Sequence, residues 1–123
     1  MTALAEASLT DAERRTLDRL VALLAEAFGP RLRSVWLYGS RARGETPHEE
    51  SDIDLLVVVD PERPEDRRTV VGLAVDAESE IGLGTVLLSP LVYSSERVAQ
   101  RREIGSFFLQ EVDRDKVVLY GEP

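Results

Sequence analysis

Apolar residues recur along this chain first at helical spacing and then in unbroken runs. Leu17, Leu20, Val21, Leu24 and Phe28 keep the three-and-four rhythm of one helix face. Thr10, followed three residues later by Glu13, forms a capping box at the head of that helix. Gly29-Pro30 stops it. Residues 33–38, RSVWLY, are β-branched and aromatic and predict a strand that ends at Gly39-Ser40. A short turn or helix start and a polar loop through Pro47 to Glu50 follow. Residues 52–59, DIDLLVVV, predict a second strand. Its apolar part does not alternate with polar residues, so both faces should be covered and the strand should be central.

Beyond Pro61, Pro64 can open a helix, because its missing N–H is not needed there. Val70, Leu73, Ala74, Ala77 and Ile81 give that helix its apolar face, and Gly82 and Gly84 end it. The acid-rich EDRR and DAESE runs read as its wet faces. Residues 85–93, TVLLSPLVY, predict a third strand, with Pro90 pointing to an edge or a bulge. Ser94-Ser95 can cap a further helix, and Ile104, Phe107, Phe108 and Val112 supply a final apolar helical face. VVLYG near the end reads as a short strand or a docked tail. The order α-β-β-α-β-α, with that optional last strand, predicts a small mixed sheet with helices packed on it, an α/β or α+β sandwich.

Composition narrows the class. The 123 residues, 43% of them apolar, suit one small domain, 1–123, with a single core. The formal charge of −8 argues against binding polyanions by bulk charge, so direct nucleic-acid binding is not expected. Any phosphate contact has to come from a local site working against that field. There is no cysteine, which excludes disulfides and thiolate metal sites and is compatible with a cytoplasmic protein. No apolar run reaches the length of a membrane span. The first residues lack the basic start and long apolar stretch of a secretion signal.

Candidate chemistry is concentrated in GSRARGETPHEESDIDLLVVVD, residues 39–60. Residues two apart on a strand share a face, so Asp52 and Asp54 project side by side. Two close carboxylates penalise each other's ionisation, and a divalent cation removes the penalty. Oxygen-only ligands suit Mg²⁺, which takes one or two carboxylates and completes its shell with water and substrate phosphates. Gly39 lets backbone N–H groups approach a phosphate, and Ser40 adds a hydroxyl. Arg41 and Arg43 are candidates for bidentate contacts to phosphate oxygens, and either could instead pair with Glu45, Glu49 or Glu50. His48 belongs to a polar loop and reads as exposed. Trp36, Tyr38, Phe107 and Phe108 read as core before they read as a base-stacking platform.

YGSRARGE at 38–45 with SDIDLLVVV at 51–59 resembles the minimal nucleotidyltransferases, small members of the DNA polymerase β-like superfamily. That family's pattern is Gly-Ser, a spacer of about ten residues and Asp-x-Asp; here eleven residues separate Ser40 from Asp52. The resemblance implies the polymerase β-like nucleotidyltransferase fold. It also implies a nucleoside triphosphate (ATP by analogy) bound with Mg²⁺, and transfer of a nucleoside monophosphate to a hydroxyl. Asp52 and Asp54 match the metal-binding pair of the family, and Gly39 and Ser40 its triphosphate-binding pair.

The family's third carboxylate, on the strand after the second helix, has no counterpart. The strand at 85–93 holds no Asp or Glu, and Ser89 stands near the expected place. Glu96 comes after this strand, and Asp76, Glu78 and Glu80 come before it. The departure brings a second reading beside the enzyme: an antitoxin-like subunit that binds nucleotide and an all-helical HEPN-type partner protein. A homodimer is the other arrangement the resemblance suggests.

Overall fold

Thr10 caps the first helix as its sequence predicts. Its hydroxyl accepts from the Glu13 N–H at 3.1 Å, and the Glu13 carboxylate accepts from the Thr10 N–H at 2.8 Å. The computed structural model describes residues 9–44, 52–81 and 88–123. Helix α1 spans Asp11–Phe28 and closes on Gly29, with a short 3₁₀ turn at Gly29–Arg31. Strands β1 (Leu32–Tyr38) and β2 (Ile53–Val59), helix α2 (Asp66–Ile81) and strand β3 (Leu88–Ser94) follow. Helices α3 (Ser95–Glu103) and α4 (Phe107–Asp115) and strand β4 (Val117–Gly121) complete the order. His48 and the predicted helix stop at Gly82 and Gly84 lie outside the described residues.

The four strands form one mixed sheet in the order β3-β2-β1-β4. β1 pairs antiparallel with both β2 and β4, whereas β2 and β3 are parallel. A parallel pair needs a long crossover, and α2 supplies it. The fold is therefore α+β with a small mixed sheet, as predicted, and the VVLYG segment is a strand. β2 is central and β3, with Pro90, is an edge.

The sheet is buried on both faces, which accounts for the unbroken apolar run of β2. Ile53, Leu55, Val57 and Val59 pack with Leu20 and Leu24 of α1 and with Val70, Ala74 and Ala77 of α2. Leu56 and Val58 turn the other way and pack with Trp36, Val98 of α3 and Leu109 and Val112 of α4. The Trp36 indole N–H and the Ser34 hydroxyl both donate to the Glu122 carbonyl, each at 2.7 Å, which ties the chain beyond β4 to β1.

Two expectations need correction. The last apolar face is not one helix. Gly105, at φ +70°, breaks it, and Ser106 caps a new helix. The break separates Ile104 from α4, and Phe107, the first residue of α4, lies off the side that Leu109 and Val112 bury. Ile104 and Phe107 stand 65% and 85% exposed, so Phe107 is not core. The acid-rich runs are also not wholly wet. Asp66 is buried, accepting from Arg31 at 3.0 and 3.1 Å and from the Arg63 N–H at 2.8 Å. Glu78 is buried and accepts the Leu88 N–H at 2.8 Å. Both acids satisfy fixed donors that the linear pattern does not reveal.

Candidate functional site

Pairing of β1 with β2 brings the end of one strand to the mouth of the other. Tyr38, the last residue of β1, is the register partner of Asp54. The chain then turns at Gly39, whose φ is +80°. A Cβ at Gly39 would lie 2.6 Å from Asp54 Oδ2 and would push the carboxylate aside, while the positive φ is itself a conformation that favours glycine. Backbone bonds from the Arg43 N–H to the Gly39 carbonyl (3.1 Å) and from the Gly44 N–H to the Arg41 carbonyl (3.3 Å) hold the turn.

The two arginines of the turn part company. Arg41 points inward and is buried. Its guanidinium donates to both Glu13 carboxylate oxygens at 2.7–3.1 Å, fastening the turn to the head of α1. Arg43 points to the pocket side and donates to Asp115 of α4 at 3.1 Å. Arg114 and Arg43 hold the Asp115 carboxyl below the usual range against the opposing effect of burial.

Asp52 sits just ahead of β2 and is exposed, whereas Asp54 is half-buried. Burial, and after it the charge of Asp52, raises the Asp54 carboxyl above its ordinary value; Arg43 opposes the rise. Burial and the Asp54 charge push the Tyr38 phenol up to about 12.

A pocket of about 340 Å³ opens here, lined by Tyr38, Gly39, Ser40, Arg43, Asp54, Glu111 and Asp115. Four of the six sequence-predicted residues, Gly39, Ser40, Arg43 and Asp54, line it; Arg41 and Asp52 do not. Ser89 is the parallel register partner of Asp54, so the neighbouring strand brings a hydroxyl to that position. Sequence reasoning missed Tyr38, Glu111 and Asp115 as pocket residues. A signal for the last two existed in their spacing from Phe108, which puts all three on one side of α4.

The arrangement can cradle an anion on the Gly39–Ser40 turn and Arg43, and a cation on the two carboxylates. Among the described residues no group of three or more His, Cys, Asp or Glu could hold a metal ion. The donor set fits a cation that keeps much of its shell as water and ligand phosphate, as Mg²⁺ does. The raised carboxyl of Asp54 points the same way, because a cation would relieve its burial next to Asp52. Among the described residues no helix is long and apolar enough to cross a membrane.

The family described as "Nucleotidyltransferase domain" matches residues 17–116. No curated protein matches the chain. A solved structure described as a toxin-antitoxin with AMP-PNP is similar at 22% identity and a TM-score of 0.55, over 86% of this chain and 73% of that one. A variant of the MntA-HpeT toxin-antitoxin is similar at 18% identity and a TM-score of 0.53, over 86% and 73%. A Sulfolobus solfataricus protein assigned to the nucleotidyltransferases is similar at 23% identity and a TM-score of 0.51, over 93% and 90%. At these identities the likeness establishes the shared fold.

Proposed function

The chain belongs to the nucleotidyltransferase domain family, and we propose that it binds a nucleoside triphosphate with Mg²⁺ and transfers the nucleoside monophosphate to a hydroxyl. With ATP the group transferred is AMP. The observation that carries this reading is the approach of the Gly39 turn to Asp54, 2.6 Å from where a Cβ would stand. It sets a backbone turn of a kind suited to phosphate against a carboxylate that is costly to leave ionised on its own. A similar structure described with AMP-PNP supports a triphosphate as the ligand.

In this reading Gly39 and Ser40 offer N–H groups and a hydroxyl to the triphosphate, and Arg43 offers its guanidinium. Arg41 acts through the turn, which its pair with Glu13 fixes. Asp52 and Asp54 would hold Mg²⁺, which when bound neutralises triphosphate charge. The acceptor oxygen bonds to the α-phosphorus as the bond to the leaving pyrophosphate breaks, in line.

The test is calorimetric titration of the chain with ATP, with Mg²⁺ and then with EDTA. Metal-dependent binding that disappears in the Asp52→Asn/Asp54→Asn double variant supports the site. No heat with the wild-type chain sinks the reading.

A second reading is an antitoxin-like subunit that holds a HEPN-type partner protein, with nucleotide as a ligand only. Ser89 beside Asp54, where an acid would serve transfer, favours it. So does the toxin-antitoxin nature of two similar structures. A partner complex that persists in the same double variant, with no transfer from ATP, would select it.

A further inference from the structure

A hydroxyl that attacks a phosphate must lose its proton, and a positioned base normally accepts it. This question rests on the transfer reading above. The pocket restricts the answer. Ser89, next to Asp54 on the parallel strand, is no base at neutral pH. The Tyr38 phenol lies on the wall, and a phenol is protonated at neutral pH. Asp115 is occupied by guanidinium groups of Arg43 and Arg114, at 3.1 and 3.0 Å. Asp54 is given to the cation. Among the described pocket residues that leaves one carboxylate, Glu111.

Helix α4 fixes where Glu111 stands. Residues three and four apart on a helix lie on the same side. Three residues before Glu111, the Phe108 ring meets the Tyr38 ring edge-on, with centroids 5.4 Å apart. Four residues after it, Asp115 holds Arg43. Tyr38 and Arg43 are both pocket walls. Glu111 is thus bracketed by two contacts to the pocket, on α4 rather than on the turn and strand that carry Gly39 and Asp54. Leu109 and Val112, buried in the core beneath, hold the helix down. The Glu111 side chain itself is exposed and open to an incoming acceptor.

We infer that Glu111, projecting from α4, is the proton acceptor of the transfer, in place of an acid on β3. The acceptor O–H proton passes to the Glu111 carboxylate while the new oxygen–phosphorus bond forms and pyrophosphate departs. The base therefore comes from a helix, whereas the cation-binding pair comes from the start of β2.

The experiment follows pyrophosphate release from ATP–Mg²⁺ by the full chain, with water as the probe hydroxyl, beside calorimetric ATP–Mg²⁺ binding. Glu111→Gln should lower release by about a hundredfold or more while ATP binding stays within a factor of two or three of wild type. Glu111→Ala should behave alike and regain release when formate is added, since formate supplies the missing carboxylate. A merely structural role would not respond to formate. Unchanged release in Glu111→Gln, or a loss that formate does not restore, overturns the inference. So does wild-type binding with no release at all, although the binding site then stands. No ATP binding by the wild-type chain overturns the transfer reading itself.

Discussion

Gly39 and Asp54 meet closely: a Cβ on the glycine would fall 2.6 Å from a carboxylate oxygen of the aspartate. The positive φ of Gly39 adds a second demand for glycine at the same place. The backbone is the stronger demand, because the carboxylate is the free end of a side chain that can move.

Gly39→Ala should accordingly lose ATP–Mg²⁺ binding. It should also lose about 1–2 kcal/mol of stability from the left-handed backbone alone, before the clash is counted. Calorimetry and denaturant unfolding would check the two effects. Wild-type affinity in this variant would mean that the turn does not touch the nucleotide.

The buried Arg41–Glu13 pair should behave as a structural strut. Removing either partner leaves a buried charge uncompensated, at about 3–5 kcal/mol. Glu13→Ala also loses half of the capping box. Replacing both partners by apolar residues of similar volume, Glu13→Leu with Arg41→Met, should recover much of the loss. Urea unfolding of the singles and the double measures this directly.

Two buried or half-buried aspartates should give opposite pH signatures. The Asp54 carboxyl is raised, so its contribution to stability is present at low pH and is lost as pH rises through the raised value. Asp54→Asn should thus melt higher than wild type at neutral pH without nucleotide, with the gain vanishing in acid. Asp66 is lowered: burial raises its carboxyl, but bonds from Arg31 and the Arg63 N–H outweigh that. Its contribution is present above the ordinary carboxylate value and is lost as pH falls through the lowered one. Asp66→Asn should therefore cost about 1.5–3 kcal/mol at neutral pH and progressively less below about pH 4. Melting curves across pH 3–8 of the two variants should diverge in these directions.

Neighbouring phenylalanines should differ sharply. Phe107 is 85% exposed, so Phe107→Ser should change stability by no more than about 0.5 kcal/mol. Phe108 packs on the rings of Tyr38 and Tyr93, and Phe108→Ala should cost about 3 kcal/mol. Thermal unfolding of both tests the placement of the break at Gly105.

Much of this was legible in the sequence for physical reasons. The Thr10–Glu13 capping box is a local device, and its geometry depends on four residues only. The run 55–59 is apolar on both faces because β2 is central, and that signal needs no partner to be read. Gly39, Ser40 and Asp54 were legible because their chemistry is specific to a turn beside a strand mouth. What escaped depends on long-range pairing. Whether Arg41 turned inward hinged on Glu13, 28 residues away. Glu111 and Asp115 became pocket residues only once α4 docked on β1. Phe107 stands exposed because α4 docks through Leu109 and Val112, a side of the helix that Phe107 does not share.

The two faces of the sheet are unequal. Among the described residues, seventeen buried side chains make up the core under α1 and α2, and six the core under α3 and α4. The pocket borders the smaller one. Most of the hydrophobic free energy of folding is thus gathered on the side away from the pocket. Exposed positions of α3 and α4 that face the pocket, unlike Val98, Leu109 and Val112, can therefore change its chemistry at little cost to the larger core.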